Sequence, residues 1–339
     1  MRAGLLDPRR SALAVLRSSS LLALLAIASL AGPSRGHAQA EEPTPDPTLP
    51  EALIPRTGQG GFGPGLQWGS GWGRFRNLDY GVLAAGAAAT VTLQIIGPNE
   101  NGRWLRRNGF DERVRRSLRG RSLQRQQNLR DASDVTLNLA IGFPIFFDAI
   151  LTALWFHDNP DVGRELALLG IEAQLVSSTL QAAANIVGSR ERPYGRNCID
   201  FEGDVPVDRT GNPLEGDNDC LGRARFRSFY SGHTSQAFAA AATTCVFHRR
   251  LPLYGRGRDW LACAAATSLA ATTGLFRIAG DKHYASDVAF GALTGIAIGW
   301  MVPALRMRPH PRRQGEGLRD GLTLRVVPAG RGVGLLGIY

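Results

Sequence analysis

The segment from Phe276 to Asp287 holds the densest set of residues that could do chemistry. Arg277 is followed six residues later by His283, and four residues after that by Asp287. The small apolar residues after Asp287 predict a helix that begins near His283, with His283 and Asp287 one turn apart on one face. A carboxylate there can accept a proton from one imidazole nitrogen and leave the other free as a nucleophile. Arg277 adds a fixed cation of the kind that phosphate recognition uses.

A second polar cluster, Ser231-Gly232-His233, precedes a run of small apolar residues. The Ser-Gly turn predicts a helix N-terminus, where backbone N–H groups and the positive end of the dipole face an anion. His233 would lie in the first turn and could protonate a leaving oxygen. The ordinary explanation is a helix cap by Ser231.

The third cluster, Ser189 to Arg196, closes the long apolar stretch from Leu166 to Val187 and contains Arg192-Pro193. Taken alone, it has the ordinary explanation of a basic helix end, which the helix dipole favours. Three such clusters, each at a predicted helix end, favour one shared site over three separate structural explanations.

Together, Arg192-Pro193, Ser231-Gly232-His233 and Arg277-x5-His283-x3-Asp287 resemble the motifs of the phosphatidic acid phosphatase type 2 / vanadium haloperoxidase superfamily. The resemblance covers about residues 78–307. It implies an all-α bundle of six helices with the three motifs at one end. It also implies hydrolysis of phosphate monoesters through a phosphohistidine, with no metal ion or other cofactor.

The resemblance assigns a role to each matching residue. The nucleophile would be His283, with Asp287 as the carboxylate that orients it. His233 would be the general acid. The guanidinium groups of Arg192 and Arg277 would bind the phosphate oxygens. The Ser231 hydroxyl and the Gly232 backbone amide would complete the phosphate-binding site. These roles suit phosphoryl transfer, which depends on positioning and on charge stabilisation.

Three positions depart from the family pattern. Asn185 stands where the family usually has Lys, Tyr230 where it has Pro, and Phe276 where it has Ser. The first departure removes a phosphate-contacting cation, in a chain that has a single lysine. Three nearby cations are candidates to replace that charge: Arg190, Arg196 and Lys282.

The N-terminal part of the chain divides into two segments of different composition. Residues 1–40 combine basic residues, the apolar run from Leu21 to Ala31 and a small-residue site before Glu41. This pattern predicts a secretory signal peptide, with an uncleaved anchor as the alternative. Residues 41–76 are rich in Pro and Gly and are predicted to form a linker.

Residues 77–307 are predicted to form one helical domain with six apolar segments. They are Leu78–Ile96, Val135–Phe156, Leu166–Val187, Thr234–Phe247, Trp260–Phe276 and Val288–Leu305. Their lengths suit membrane spans, but their Ala, Thr and polar residues also suit a soluble bundle. Arginines between 248 and 258 and between 306 and 313 are typical of cytoplasmic segments, which would place the motifs on the periplasmic side.

A strongly basic segment follows the first apolar segment. Residues 99–133 contain ten arginines, and the stretch from Val114 to Leu129 permits an amphipathic helix. Such a helix suits an anionic membrane surface, although a solvated charged face is an equally good explanation. The predicted secretion signal argues against nucleic acid as a partner.

The four cysteines are divided between a loop and the helices. Cys198 and Cys220 flank the polar loop between the first two motifs, so a disulfide is predicted there if that side is oxidising. Cys245 and Cys263 lie in apolar segments and are expected to be core residues without a special role. No cysteine spacing is typical of a zinc site. Residues 308–339 are predicted to be a basic tether and a short β-hairpin.

We therefore expect a cell-envelope phosphatase, membrane-embedded or membrane-associated, that hydrolyses phosphate monoesters or diphosphates. Lipid phosphates are the favoured substrates, with small phosphoesters as an alternative. Two other functions stay open: a vanadate-dependent haloperoxidase, because the same residues can hold vanadate, and a catalytically weakened lipid-binding protein, because of Asn185.

Overall fold

The structure is a computed structural model that describes residues 65–197, 222–255, 257–309, 323–329 and 332–338. Seven α-helices occur in this part of the chain: α1 Asn77–Ile96, α2 Gly109–Leu118, α3 Leu123–Gly142, α4 Pro160–Gly188, α5 Gly232–Arg250, α6 Asp259–Ala279 and α7 Ala285–Arg306. A π-helix, Phe143–Phe156, continues α3. Two short 3-10 helices, Pro193–Asn197 and Gly222–Phe226, lie between α4 and α5. The six predicted apolar segments correspond to the six long helices, and α2 is an additional helix.

Helix α2 lies in the basic segment, but its bounds differ from the predicted ones. It begins after Asn108, whose side chain accepts a hydrogen bond from the backbone of Asp111. It ends at Leu118, and a second cap, Ser122, then starts α3. The predicted amphipathic stretch is therefore divided between two helices, because each has its own polar N-cap.

The first and last long helices show how the bundle is oriented. Arg306, the last residue of α7, binds Asp79 in the first turn of α1 at 3.0 Å. At the other end of α1, Gln94 binds Arg227, which lies four residues before Ser231 of the second motif. Helix α1 therefore begins at the end of the bundle opposite the motifs and ends beside them.

Helix α5 is the central helix, and α7 packs closely against it through three glycines. A Cβ atom added to Gly295 would lie 2.3 Å from the carbonyl oxygen of Ser235, and one added to Gly299 would lie 2.0 Å from that of Ala239. Gly291 faces the backbone of Ser231 in the same way. Small residues four apart let two helix backbones approach at this distance. The close approach brings the start of α5 against the start of α7.

In the part of the chain that the structure describes, five helical segments are long and apolar enough to cross a membrane: α1, α3 with its π-helical continuation, α4, α6 and α7. Their outward faces carry large apolar side chains, such as Leu78, Trp155 and Leu293, which are 78%, 78% and 68% exposed. Water disfavours so much exposed apolar surface, whereas lipid accepts it. Of the two alternatives left open by the sequence, the structure therefore indicates a membrane protein.

The end of the predicted linker packs into the bundle core. Leu66, Trp68 and Phe75 are buried in the same cluster as Leu166 and Phe247. The predicted signal peptide and residues 41–64 of the linker lie outside the described residues.

Two cysteines that we expected to be isolated core residues form a disulfide. Cys245 on α5 and Cys263 on α6 are bonded, with 4.6 Å between their Cα atoms. The expectation was wrong because neighbouring helices bring the two residues together, which their positions in the sequence do not show. The predicted Cys198–Cys220 pair lies outside the described residues.

The C-terminal strands are β1, Thr323–Ala329, and β2, Gly332–Ile338. They pair antiparallel, with Thr323 opposite Ile338 and Ala329 opposite Gly332.

Candidate active site

The three motifs lie at one end of the bundle. Ser231 at the start of α5 donates a backbone hydrogen bond of 3.2 Å to the carbonyl oxygen of Asp287 in the first turn of α7. The charges of Arg192 and Arg277 both lower the pKa values of His233 and His283. Electrostatic effects of this kind fall off with distance, so the two histidines and the two arginines form one cluster.

His283 has the geometry of a neutral imidazole with one free nitrogen. Its Nδ1 atom lies 2.8 Å from the carbonyl oxygen of Ser228. A carbonyl oxygen only accepts hydrogen bonds, so Nδ1 carries the proton and Nε2 keeps its lone pair. Burial, followed by the charges of Arg192 and Arg277, holds the pKa of His283 well below its usual value. Nε2 is therefore unprotonated at neutral pH, as a nucleophile requires.

The predicted helical spacing required a direct contact between Asp287 and His283. In the structure, Asp287 does not bind His283 directly. Helix α7 begins at Ala285, so His283 belongs to the preceding loop and not to the face that carries Asp287. The carboxylate of Asp287 instead accepts a hydrogen bond of 2.6 Å from Ser228 Oγ. It also accepts one from the Tyr284 backbone and is 2.5 Å from Arg190 Nη1. The link from Asp287 to His283 therefore runs through Ser228.

His233 lies in the first turn of α5, as predicted, and faces a carboxylate. Its Nε2 atom is 2.7 Å from Asp134 Oδ1 on α3. Burial and the charge of Arg277 lower its pKa to about 4, although the hydrogen bond to Asp134 acts in the opposite direction. In the absence of a bound anion, His233 is therefore neutral at pH 7.

Arg277 and Arg192 approach the two histidines from different elements. Arg277, near the end of α6, is buried and donates from Nη1 to Ser133 Oγ at 2.9 Å. Its Nη1 atom also lies 3.5 Å from Asp134 Oδ1. Arg192 follows α4 and is held by its backbone, which donates to the carbonyl oxygen of Arg225 at 2.8 Å. This arrangement places two guanidinium groups beside the two imidazoles.

Ser231 and Gly232 form the N-terminus of α5. Ser231 is the N-cap residue, and its Oγ atom accepts a hydrogen bond from the Thr234 backbone. A Cβ atom at Gly232 would lie 2.9 Å from the side chain of Gln181 on α4, so a larger residue there would require this side chain to move. The first turn of a helix offers N–H groups to an anion.

Asn185, which occupies the position of the family lysine, is buried within α4. Its Nδ2 atom donates to the carbonyl oxygen of Gln181 in the same helix. Of the three candidate cations, Arg190 cannot replace the missing charge, because two carboxylates pair with it. The side chain of Arg196 is not described. Lys282 is buried in the loop before His283, and its Nζ atom lies 5.3 Å from the centre of the Tyr194 ring.

The structure adds four polar residues that the motifs did not identify: Asp111, Asp134, Arg190 as an ion-pair partner, and Ser228. Ser228 and Arg190 lie three and two residues before motif residues, so proximity in the sequence was a signal for them. Asp111 and Asp134 lie in the basic segment and in α3, and no local pattern distinguished them. Among the described residues, no group of three or more His, Cys, Asp and Glu side chains has the arrangement of a metal site.

Comparisons with known proteins agree with the motifs. Residues 169–310 match the family model of the PAP2 superfamily. A stretch of 72 residues is 43% identical to a protein named lipid A 1-phosphatase from Porphyromonas gingivalis. That stretch makes up 21% of this chain and spans only 15% of the length of this curated relative.

A solved structure is also similar in part: a transmembrane PAP2 type phosphatidylglycerolphosphate phosphatase from Bacillus subtilis. It is 15% identical, with a TM-score of 0.36, and the match covers 69% of this chain and 90% of that one. The family match over residues 169–310 includes all three motifs, Arg192-Pro193, Ser231-Gly232-His233 and Arg277 to Asp287. Residues 169–310 therefore match the PAP2 superfamily, the family that the three motifs predicted.

Proposed function

We propose that this protein is a phosphatase that hydrolyses the phosphate monoester or diphosphate of a lipid through a phosphohistidine. The observation that carries this proposal is the state of His283. Its Nδ1–H is bound to the carbonyl oxygen of Ser228, and its lowered pKa keeps Nε2 unprotonated beside two arginines. These are the requirements for attack on a phosphorus atom whose oxygens are bound by cations.

The reaction has two steps. In the first, Nε2 of His283 forms a bond to phosphorus, the bond from phosphorus to the ester oxygen breaks, and His233 gives that oxygen a proton. In the second, His233 takes a proton from water as the water oxygen attacks phosphorus. The bond from phosphorus to Nε2 then breaks and inorganic phosphate leaves. Arg192 and Arg277 stabilise the negative charge of the phosphoryl oxygens in both steps.

Binding of the substrate also changes the protonation of His233. Without an anion, the neighbouring Arg277 is one cause of a pKa of about 4. A phosphate dianion between the arginines brings negative charge close to the imidazole, which favours the protonated form. His233 would therefore gain its proton on substrate binding and become the general acid that the first step needs.

Exposed residues of α2 support a lipid substrate. Arg113 and Arg116 are exposed on this helix, and they lie between the exposed apolar side chains of Phe110 and Leu118. Helix α2 also contacts the catalytic loop through the ion pair between Arg115 and Asp281. A surface of arginines and apolar residues suits the interface of an anionic membrane. The name of the curated relative, lipid A 1-phosphatase, agrees with a phosphorylated lipid.

We place the active site on the periplasmic side of the membrane. Arg249 and Arg250 at the end of α5, and Arg308 after α7, are exposed at the opposite end of the bundle, and such residues favour the cytoplasm. The exposed arginines of residues 99–133 lie at the motif end and act against this orientation, so we assign them to the anionic outer surface of the membrane. Because α1 begins at that same end, residue 77 would then be cytoplasmic. A cleaved signal peptide would instead leave it outside, so this orientation favours the alternative of an uncleaved N-terminal segment.

The test is phosphate release from the purified protein in detergent, with lipid and soluble phosphoesters as substrates. The wild type is compared with His283→Gln, and a ³²P-labelled substrate is used to trap an acid-labile, base-stable phosphoenzyme. We expect release and trapped label in the wild type and neither in the variant. Trapped label in His283→Gln would contradict the assignment of the nucleophile.

The lipid part of the proposal has its own variant. Replacing both Arg113 and Arg116 with Gln leaves the described catalytic contacts intact and removes two exposed charges beside the loop. We expect a lower kcat/KM for anionic lipid phosphates and an unchanged value for a small soluble phosphoester. Equal effects on both substrates would argue against this surface as a lipid contact.

Two alternatives would appear in the same preparation. Oxidation of halide by peroxide after addition of vanadate, without phosphate release, would indicate a haloperoxidase. A folded wild type without either activity that binds anionic vesicles would indicate a lipid-binding protein. The burial of Asn185 and its bond to its own helix favour this last alternative over the peroxidase.

A further inference from the structure

We propose that Ser228, Arg190 and Asp111 are positioning residues that orient the nucleophilic imidazole of His283 through a buried chain of hydrogen bonds. The proposal rests on the proposed function, because it takes His283 as the nucleophile. The chain runs from α2 through the segment after α4 to the loop before the second motif, and ends at the loop before α7.

Ser228 is the residue in contact with His283. It is fully buried and makes three hydrogen bonds in three directions. Its carbonyl oxygen accepts from His283 Nδ1 at 2.8 Å, and its Oγ atom donates to Asp287 at 2.6 Å. Its backbone N–H donates to the carbonyl oxygen of Arg190 at 3.0 Å. Ser228, whose carbonyl oxygen selects the tautomer of His283, is therefore held through its hydroxyl by Asp287 and through its backbone N–H by Arg190.

Arg190 is the next member of the chain. Its side chain is only 1% exposed, and it joins two carboxylates: Nη1 is 2.5 Å from Asp287 Oδ1, and Nη2 is 2.8 Å from Asp111 Oδ2. The guanidinium carbon lies 4.2 Å from the centre of the Trp104 ring and 4.4 Å from that of Tyr284. A planar guanidinium beside two aromatic rings, with a carboxylate at each of its two Nη atoms, is held in one orientation. Arg190 therefore fixes Asp287, which in turn holds Ser228.

Asp111 completes the chain from the basic segment. It is fully buried, and besides Arg190 it accepts hydrogen bonds from the backbone and hydroxyl of Ser286, at 2.9 and 2.7 Å. Burial would raise the pKa of Asp111, but the hydrogen bonds from Ser286 and Arg190 outweigh it and leave the pKa below its usual value. The carboxylate is therefore ionised. Asp111 binds both Arg190 and the residue before Asp287, so it sets their relative position.

The charges in this chain explain why each member is needed. Arg190 is one buried cation between two buried anions, and removal of either anion takes away the carboxylate that orients one of its Nη atoms. A small shift of the Ser228 peptide would release Nδ1 of His283 and allow the other tautomer, in which Nε2 carries the proton and cannot attack phosphorus. Misplacement of a reacting group by about 1 Å can lower a rate about 100-fold.

The test combines a tautomer measurement with turnover. Ser228→Ala removes only the hydroxyl that binds Asp287, and Asp111→Asn removes the charge that binds Arg190. Ser177→Ala is the matched control, because Ser177 is also fully buried and loses one hydrogen bond, of 2.8 Å to Ser235 Oγ. Ser286→Ala is a milder variant at the same contact if Asp111→Asn does not fold.

The tautomer is measured by ¹⁵N NMR of the protein labelled at its histidines, with the His283 signals assigned from His283→Gln. In the wild type we expect the Nδ1–H form alone. Ser228→Ala and Asp111→Asn should show a mixture of tautomers, whereas Ser177→Ala should match the wild type. Unchanged His283 signals in folded Ser228→Ala and Asp111→Asn would overturn the proposal, whatever the enzyme activity.

Turnover gives a second readout that a merely structural role would not move. We expect kcat to fall about 10- to 100-fold in Ser228→Ala and in Asp111→Asn, with KM changed little. The double variant should lose less than the product of the two single effects, because both act through the same peptide group. The wild type could release no phosphate while the tautomer of His283 still depends on Ser228. That result would reject the proposed function and leave the positioning chain supported.

Discussion

The Nδ1 atom of His283 lies 2.8 Å from the carbonyl oxygen of Ser228. This contact gives the imidazole the tautomer that a nucleophile needs, and a backbone group provides it instead of a carboxylate. Asp287 acts one step further away, by holding the hydroxyl of Ser228. A backbone acceptor has a practical consequence: it stays unprotonated at acid pH, so it continues to select the same tautomer when nearby carboxylates titrate.

Replacing Arg277 with Gln should raise the pKa of both histidines. The charge of Arg277 is one of the causes that lower the pKa of His233 to about 4 and that of His283 well below 6.5. NMR titration of the histidine signals measures both values. Arg125→Gln, at an exposed position on α3, is the control and should change neither.

The same variant should change how stability depends on pH. A histidine with a lowered folded-state pKa binds a proton more weakly than it does in the unfolded chain, so stability falls as pH decreases from about 6.5 towards the folded pKa. In Arg277→Gln this decrease should be smaller between pH 6.5 and 4. A decrease as large as in the wild type, measured by thermal unfolding, would show that Arg277 does not act on these groups.

Replacing Lys282 with Met should weaken phosphate binding, if Lys282 supplies the charge that Asn185 lacks. Lys282 is buried, and in the sequence it lies between Arg277 and His283. Its ammonium group lies near the ring of Tyr194, which follows Arg192 by two residues. We expect KM to rise about tenfold, which corresponds to about 1.4 kcal/mol. A second substitution, Asn185→Lys, should then restore part of the affinity. The same KM in Lys282→Met as in the wild type would exclude this compensation.

Replacing Gly295 with Ala should destabilise the bundle and reduce turnover. The added Cβ would lie 2.3 Å from the Ser235 carbonyl oxygen, so α7 would have to move away from α5. Forced overpacking of this kind costs about 1–3 kcal/mol. Thermal unfolding and phosphate release measure the two effects. Gly86→Ala on α1 is the control, because nothing lies within 4 Å of its added Cβ, and it should behave as the wild type.

Single cysteines at the two ends of the bundle should report the orientation. Ser117→Cys on α2 is exposed at the motif end, and Arg249→Cys is exposed at the other end. In a background with Ser at positions 198 and 220, a membrane-impermeant maleimide should label Ser117→Cys in bacterial spheroplasts. Arg249→Cys should react only after lysis. The reverse pattern would place the active site in the cytoplasm.

The motifs predicted where their residues lie in the fold because such positions are local. Arg277, His283, Ser231 and His233 lie at helix ends, and a helix end is recognisable from its cap residue and from the apolar run beside it. The predicted relation between His283 and Asp287 was wrong for the same local reason. Both lie near one helix start, but the helix begins two residues after His283, and boundaries are the least certain part of such predictions.

The basic segment shows the limit of pattern analysis more clearly. Its ten arginines predicted a surface that faces lipid or solvent. The structure confirms exposed arginines on α2, but it also places Asp111 and Arg115 of that helix in buried ion pairs with Arg190 and Asp281. Composition counts charges, whereas a pair forms only when another segment, far along the chain, brings the opposite charge within reach.

The sequence by itself predicted the family match, the helical class, and the positions of the two histidines and the two arginines at helix ends, because these depend on residue types at short spacings. Only the tertiary structure decided which groups touch: Ser228 between His283 and Asp287, Asp134 opposite His233, and Cys245 bonded to Cys263. These contacts depend on how closely helices pack, and glycines such as Gly295 set that distance. Contact between distant segments is a property of the packed bundle, which no single stretch of sequence carries.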